Sequence, residues 1–315
     1  MRFFRGFVFL SVTLLAPIFS SPVYGLGTVV SAKAMGMGNV GVAYPQDGFA
    51  AAFNPAGISI IGNRMDVELS YEYSHGRTEI TQATPSSPIA TNVSTGLYDN
   101  ARAHHFAYPS VGISGHFCDD CSITWGLVAY PKEKIITSYS SNFPSYGTSR
   151  AGLELFQEMV SASFAVRYYC HHFGISANFC VERFYASGLE SFDTPWIVGD
   201  TGGYFTTSPG NVTNRSPDYS TGWSYTVGWI GYVLPNVTLG AVYEARAKMT
   251  RMKNYEGLLA EGGRINFPER ISAGFSCKFC DSYFLAMDVH FIHWSDVDSL
   301  NQSIFGTAAS LFKIP

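Results

Sequence analysis

Residues 223–233 read WSYTVGWIGYV. Trp223, Tyr225, Val227, Trp229 and Val233 fall on one side of an extended chain, while Ser224, Thr226 and Gly228, with Gly222 before them, fall on the other. Successive side chains of a β-strand point to opposite faces, so a period of two marks a strand that separates two environments. The same period recurs. In VSASFAVRYY (160–169), Val160, Ala162, Phe164, Val166 and Tyr168 oppose Ser161, Ser163, Ala165 and Arg167. In YFLAMDVHF (283–291), Tyr283, Leu285, Met287, Val289 and Phe291 oppose Asp288 and His290. MDVELSYEY (65–73) sets Met65, Val67, Leu69, Tyr71 and Tyr73 against Asp66, Glu68, Ser70 and Glu72.

Nine such strands are predicted, near 65–74, 104–117, 121–131, 157–170, 173–185, 220–234, 236–249, 267–278 and 281–295. Most have the roughly 9–11 residues, or slightly more, that a tilted strand needs to cross a bilayer. Short connections at 118–120, 171–172, Pro235 and 278–281 alternate with long polar ones at 75–103, 132–156, 186–219 and 250–266. Tight turns on one side and long loops on the other are the habit of outer-membrane barrels. A secreted β-sandwich would share the period but not this strict alternation. The expected fold is therefore all-β, a transmembrane antiparallel β-barrel. In hydrocarbon every backbone N–H and C=O must be paired within the protein, and a closed barrel leaves no edge open. Tyr71, Tyr73, Trp223, Tyr232 and Trp294, near strand ends, are expected in interfacial girdles.

Composition agrees. Of 315 residues, 15% are aromatic and only 14% charged, where a soluble domain carries about 25% charged residues. A net charge of -4 argues against a nucleic-acid partner. After residue 25 no apolar run approaches the ~20 residues of a transmembrane helix. Before it, Arg2 and Arg5 precede an apolar run from Phe7 to Phe19, and SSPVYG follows. Residues 1–25 are read as a secretory signal peptide with cleavage after Gly25, the alternative being an N-terminal anchor helix.

A glycine- and alanine-rich stretch, AKAMGMGNVGVAYPQDGFAAAFNPAGIS (32–59), precedes the first strand. It resembles the N-terminal hatch of the FadL family, outer-membrane transporters of long-chain fatty acids and other hydrophobic compounds. Asn54-Pro55-Ala56 is its most specific element, although NPAG is also a generic turn. The resemblance continues in GWSYTVGWIGYVLPNVTLGAVYEARAKM (222–249) and in NFPERISAGFSCKF (266–279), where Phe267 stands for the family's leucine before Pro-Glu. It ends at DVHFIHWSDVDSL (288–300), leaving loops 75–103 and 186–219 unplaced. The family implies a 14-stranded barrel plugged by its hatch. Residues 26–62 would then be the hatch and 63–315 a barrel that holds about nine strands and is C-terminally incomplete. A hydrophobic ligand would enter from outside, rest in an apolar pocket near Phe53, Asn54, Pro55 and Ala56, and leave sideways beside a kinked third strand. That strand is here SITWGLVAY (122–130), with Gly126 as the kink. Pro55 fixes its own φ and holds Asn54 extended, and small residues let a hatch pack tightly in a crowded lumen. The same resemblance implies a monomer in the outer membrane of a Gram-negative bacterium, amid lipid and lipopolysaccharide, without cofactor, metal or enzymatic activity.

Other chemistry is weaker. Cys118/Cys121 and Cys277/Cys280 form two CxxC pairs at expected turns, as does Cys170 singly; export favours disulfides, with free thiols and a metal site as alternatives. His104/His105 and His171/His172 are neighbours on strands and point to opposite faces, so neither pair readily chelates an ion. Neither a G-x-S-x-G elbow nor an HExxH motif nor a P-loop occurs. Asp288 and His290 on the inward face could be a catalytic remnant or ordinary lumen groups. Arg246 and Lys248, with Arg251 and Lys253 beyond them, form a basic cluster that could meet a fatty-acid carboxylate, or lipid headgroups from a solvated loop. Passive uptake of hydrophobic molecules is the function expected; a general porin, a surface adhesin or an outer-membrane enzyme on the same fold are the alternatives.

Overall fold

The structure, a computed structural model, describes residues 30–73, 77–81, 95–99, 105–117, 122–142, 146–198, 201–204, 206–280 and 283–301. The expected signal peptide at 1–25, His104, Cys118 and Cys121 lie outside the described residues. β1 (Arg64–Tyr73) is followed by a separate hairpin of β2 (Arg77–Ile80) and β3 (Gly96–Asp99), then by β4 (His105–His116), β5 (Ile123–Ser138), β6 (Gly152–Tyr168) and β7 (His171–Ser187). A second hairpin, β8 (Pro195–Val198) and β9 (Thr201–Tyr204), precedes β10 (Asp218–Leu234), β11 (Val237–Glu244), the two-residue β12 (Lys248–Met249), β13 (Arg270–Cys280) and β14 (Tyr283–Ile292).

The main sheet runs β1-β4-β5-β6-β7-β10-β11-β13-β14, with β12 beside β10. Neighbouring strands are antiparallel, and each pairs with the next main-sheet strand in the chain. All nine predicted strands are present. One connection is shorter than expected, because about half of the segment 132–156 is strand. β5 continues to Ser138 and β6 begins at Gly152. The cause is a bulge: the β5–β6 register shifts between Pro131 and Glu133. Tyr130 and Val128 face inward before it, Glu133 and Ile135 after it, so the alternation changes phase at Lys132. The strand expected at 236–249 is likewise broken after Glu244, and the two hairpins lie within segments expected as loops.

One face of the sheet is apolar and exposed. Val67, Leu69, Phe164, Ile175, Trp223 and Val289 all point outward, with Leu69 at 72% exposure. Against the other face lies the N-terminal segment. Its residues 41–58 meet Asp66 on β1, Gly112 on β4, Gly126 on β5, Gly174 on β7, Trp229 on β10, Gly240 on β11, Gly274 on β13 and Asp288 on β14. Nine strands laid flat at about 4.8 Å spacing would span roughly 40 Å. So short a compact segment touches both edges because the sheet curls round it. Among the described residues β1 and β14 remain its two edges. A helical segment, not a second sheet, covers the inner face, which overturns the sandwich reading.

Candidate functional site

Asn54 joins the segment to the wall. The residue before a proline is driven to extended backbone, and Asn54 has φ -153° and ψ 114°. In that conformation its side-chain oxygen accepts from Ala56 N at 3.0 Å and caps the short 3-10 turn Pro55–Gly57. Its amide donates to Val42 O at 2.8 Å and to Trp229 O on β10 at 3.1 Å. Asn54 is fully buried, so one carboxamide satisfies partners on the segment and on the wall together. Two wall glycines make the approach feasible. A Cβ at Gly228 would strike Asn54 Oδ1, and one at Gly174 would strike the backbone at Pro55 and Ala56. Asp288 accepts from Gly41 N at 2.7 Å and Val42 N at 2.9 Å, while Asp66 accepts from Gly48 N at 2.7 Å. Asp288 therefore anchors backbone, and His290 Nδ1 instead meets Ser272 Oγ at 2.8 Å. The pair is divided between structural partners.

Above this contact the interior is layered, and three neighbouring wall strands, β5, β6 and β7, show the same order. Proceeding away from the N-terminal segment, β5 presents Tyr130, then Lys132 and Glu133, then Ile135. β6 presents Met159, Gln157 and Leu155, and β7 presents Cys180, Glu182 and Phe184. The first layer is apolar: Phe49, Ile58, Val128, Tyr130, Met159 and Phe267 pack together, with half-buried Phe53 against them. The second is an ionic belt. Lys132 Nζ donates to both Glu244 oxygens at 2.6 and 2.8 Å, and Arg270 Nη2 donates to Glu244 Oε2 at 2.6 Å and to Ala52 O at 3.5 Å. Gln157 Nε2 donates to Glu182 Oε2 at 2.5 Å. Glu133 Oε2, Glu182 Oε1 and Arg270 Nε are buried and have no hydrogen-bond partner. A cavity of about 30 Å³ lies between Lys132, Glu133, Gln157, Glu244, Arg270 and Trp294.

The third layer is apolar again. Leu155, Phe184, Met252, Tyr255, Ile265 and Val297 cluster there. Phe184 and Tyr255 meet edge to face at 5.0 Å, and the Tyr255 hydroxyl donates to Arg215 O at 2.9 Å. Burial pushes that hydroxyl's pKa above its ordinary value. Trp294 packs on this cluster and not in an exterior girdle, since the chain leaves β14 and turns inward as a 3-10 helix at Trp294–Asp296. Tyr71, Tyr73 and Trp223 are exposed on the outer face, whereas Tyr232 is not in an exterior girdle: it shares the phase of buried Ile230, meets the inward His172 ring at 5.7 Å and borders a recess with Ala43, Pro45 and Ile60 of the N-terminal segment.

The wall divides between β4 and β5. Their ladder runs from His116↔Thr124 to Val111↔Ala129 and stops, while β5 continues to Ser138 paired to β6. Gly126 is not the irregular point. It pairs with Ser114 on one side and Ser163 on the other, and a Cβ there would meet Ile58 at 3.3 Å. The irregularity is the bulge at Lys132, which twists the rest of β5 away from β4. A recess of about 450 Å³ opens in this fork, lined by Phe106, Tyr108, Lys134, Ile136, Phe156 and Arg183. Lys134 reaches across it, 4.3 Å from the Phe106 ring and 2.5 Å from Glu72.

Arg246 and Lys248 are exposed, with Arg246 3.4 Å from Glu261. Among the described residues, Lys132 and Arg270 are the cations that pair with Glu244 in the interior. Cys277, buried, and Cys280, exposed, carry free thiols, as do Cys170 and Cys180. His171 and His172 point to opposite faces. His171 stacks near Trp229 at 6.0 Å, and His172 Nδ1 lies 2.6 Å from Ser59 Oγ. Sequence reading missed the belt. Glu182, Glu244 and Arg270 could have been flagged as charges at inward phase within strands, whereas Lys132 and Glu133 fell in an expected loop.

No family model and no curated protein matches the sequence. Solved structures do match. The Ralstonia pickettii toluene transporter TbuX is 16% identical, with 88% of this chain and 74% of that one covered at a TM-score of 0.61. The Pseudomonas putida toluene transporter TodX is 15% identical, with 86% and 72% covered at 0.59. A Pseudomonas aeruginosa FadL homologue is 14% identical, with 83% and 68% covered at 0.53. The chain thus has the fold of FadL-family transporters, and the family resemblance read from its sequence holds at the level of the fold.

Proposed function

We propose that this chain is an outer-membrane transporter through which hydrophobic small molecules diffuse. Residues 26–62 act as the hatch of a barrel whose wall includes the nine main-sheet strands. The apolar outer face lies against lipid and lipopolysaccharide. One observation carries the reading: a sheet with an apolar exterior encloses a helical segment, and apolar layers lie above that segment, on either side of an ionic belt. A pore for ions would line its interior with water-accessible polar groups along its whole length, which these layers do not provide. A soluble monomer would not leave so many outward rows of Leu, Val, Phe and Trp exposed. The fold shared with the two toluene transporters and the FadL homologue supports the same reading.

The ligand enters at the outer cluster around Phe184 and Tyr255, passes the belt and reaches the pocket beside Phe53. It leaves through the fork between β4 and β5, which takes the part first assigned to Gly126. The test is uptake by cells. The chain is expressed in the outer membrane of a Gram-negative strain lacking its own transporter of this kind, and entry of a radiolabelled hydrophobic compound is followed. Uptake several-fold above cells without the chain is expected. Uptake at the level of those cells would end the proposal.

A further inference from the structure

The wall is breached where the β4–β5 ladder ends. A recess of about 240 Å³ lies beside the last pair, Val111↔Ala129, and residues of both faces line it. Val67, Val111 and Val160 reach it from the apolar outer rows, whereas Ser110, Tyr130 and Met159 reach it from the inner face. Neighbouring side chains on an intact strand point to opposite sides, so one recess can hold both sets only where the sheet opens. Tyr130 and Met159 also belong to the apolar layer around Phe49 and Ile58. Their side chains are the partition between that layer and the outer face.

Ser110 is out of keeping with so apolar a place. It is 3% exposed, and its hydroxyl has no hydrogen-bond partner among the described residues. A buried hydroxyl left unmet costs free energy, and such a group calls for an explanation. Tyr130 gives it none, because the Tyr130 hydroxyl donates to the Met159 sulfur at 3.2 Å, itself a weak acceptor. A serine hydroxyl turns about a single bond, so a polar atom in the recess can draw it. The second observation is at the rim. Glu158 stands there, exposed on the outward row of β6. A carboxylate in an apolar row is costly beside hydrocarbon and marks a polar site. Ser110 both donates and accepts, Glu158 accepts, and the lining between them is mostly apolar. A hydroxyl on an apolar body matches all three.

Resting on the sideways exit described above, we propose that this breach is a ligand site in its own right, taking a neutral hydrophobic molecule by a single hydroxyl head, with Ser110 holding that head. The test is photolabelling of the full chain in lipid vesicles. One probe is a phenol carrying a para trifluoromethyl-diazirine, and the other is the same arene without its hydroxyl. Labelled peptides are located by mass spectrometry. The phenol should label residues 109–111, 129–131 and 158–160 at least about fivefold more than the hydroxyl-free arene, as one neutral hydrogen bond allows. Ser110→Ala should bring the phenol down to the level of the arene. Because Ser110 has no partner to lose, that variant should unfold no earlier than the native chain, whereas a serine serving the fold would lose stability. Unlabelled 4-butylphenol should compete with the probe on the native chain, and butylbenzene should not. Equal labelling by both probes, or undiminished labelling in Ser110→Ala, would overturn the site. Labelling as expected, in a chain whose cells take up no phenol, would uphold the site and overturn transport.

Discussion

Asn54 concentrates more structural work than any other side chain in the N-terminal segment. Its carboxamide caps Ala56, holds Val42 and reaches across to Trp229 on β10. Leaving a buried hydrogen-bonding group unmet costs about 1–3 kcal/mol. Asn54→Ala strands three groups and is expected to destabilise the segment's seating by about 2–4 kcal/mol. The sheet has its own ladders and should survive. Limited proteolysis in detergent should therefore cut near residue 54 in the variant well before Trp fluorescence reports unfolding of the wall. Cleavage at the native rate would mean that these hydrogen bonds are not what seats the segment. The wall glycines carry the complementary half of the contact, because Gly174 and Gly228 leave the space that Asn54, Pro55 and Ala56 occupy.

β5 shows how one extra residue can shape both a passage and a charge cluster. Lys132 is the residue left over when Pro131 pairs with Glu158 and Glu133 with Gln157. The bulge turns Lys132 and Glu133 inward together, and it bends the strand where the β4–β5 ladder ends. Deleting Lys132 restores an uninterrupted register to β6 without moving any later residue to the opposite face. The straightened strand is then expected to extend its pairing with β4 and close the fork. Hydrogen exchange should slow at residues 105–110 and 130–136, and uptake should fall. Lys132→Met keeps the bulge while losing the charge, so its exchange pattern should stay native. Slowed exchange in that variant, or none in the deletion, would detach the fork from the bulge.

At the level of the molecule, the distribution of exposed apolar rows decides what solvent the sheet meets. A sheet that curls round its own N-terminal segment has turned its polar alternates inward, and Leu69, Phe164, Trp223 and Val289 are left outside. On the proposed reading, lipid is the environment that makes this arrangement stable. Phe164, 53% exposed and midway along the apolar row of β6, gives a direct measurement. In lipid vesicles Phe164→Arg should cost about 2–4 kcal/mol of unfolding free energy, as expected for a cation at the bilayer midplane. A cost near zero would place that face in water.

Much of this was legible along the chain, and for one physical reason. Period two, turn residues and the X-Pro constraint act over a few neighbours, so residues 65–73, 160–169, 223–233 and 283–291 announce their strands and faces, and Asn54-Pro55-Ala56 announces its turn. The bulge was not legible. A break in alternation at Lys132 looks the same as the end of a strand until the partner strand shows that pairing resumes. The belt was hidden more deeply. Lys132, Glu244 and Arg270 lie on β5, β11 and β13, and their meeting follows from curvature and register, which no local pattern carries. Arg246 and Lys248 made the denser cluster in sequence, yet they stand outside, because parity along the chain after Glu244 shifts where the strand breaks. Local rules thus set the alternation of faces, while the long-range curling of the wall chose which charges would share the interior.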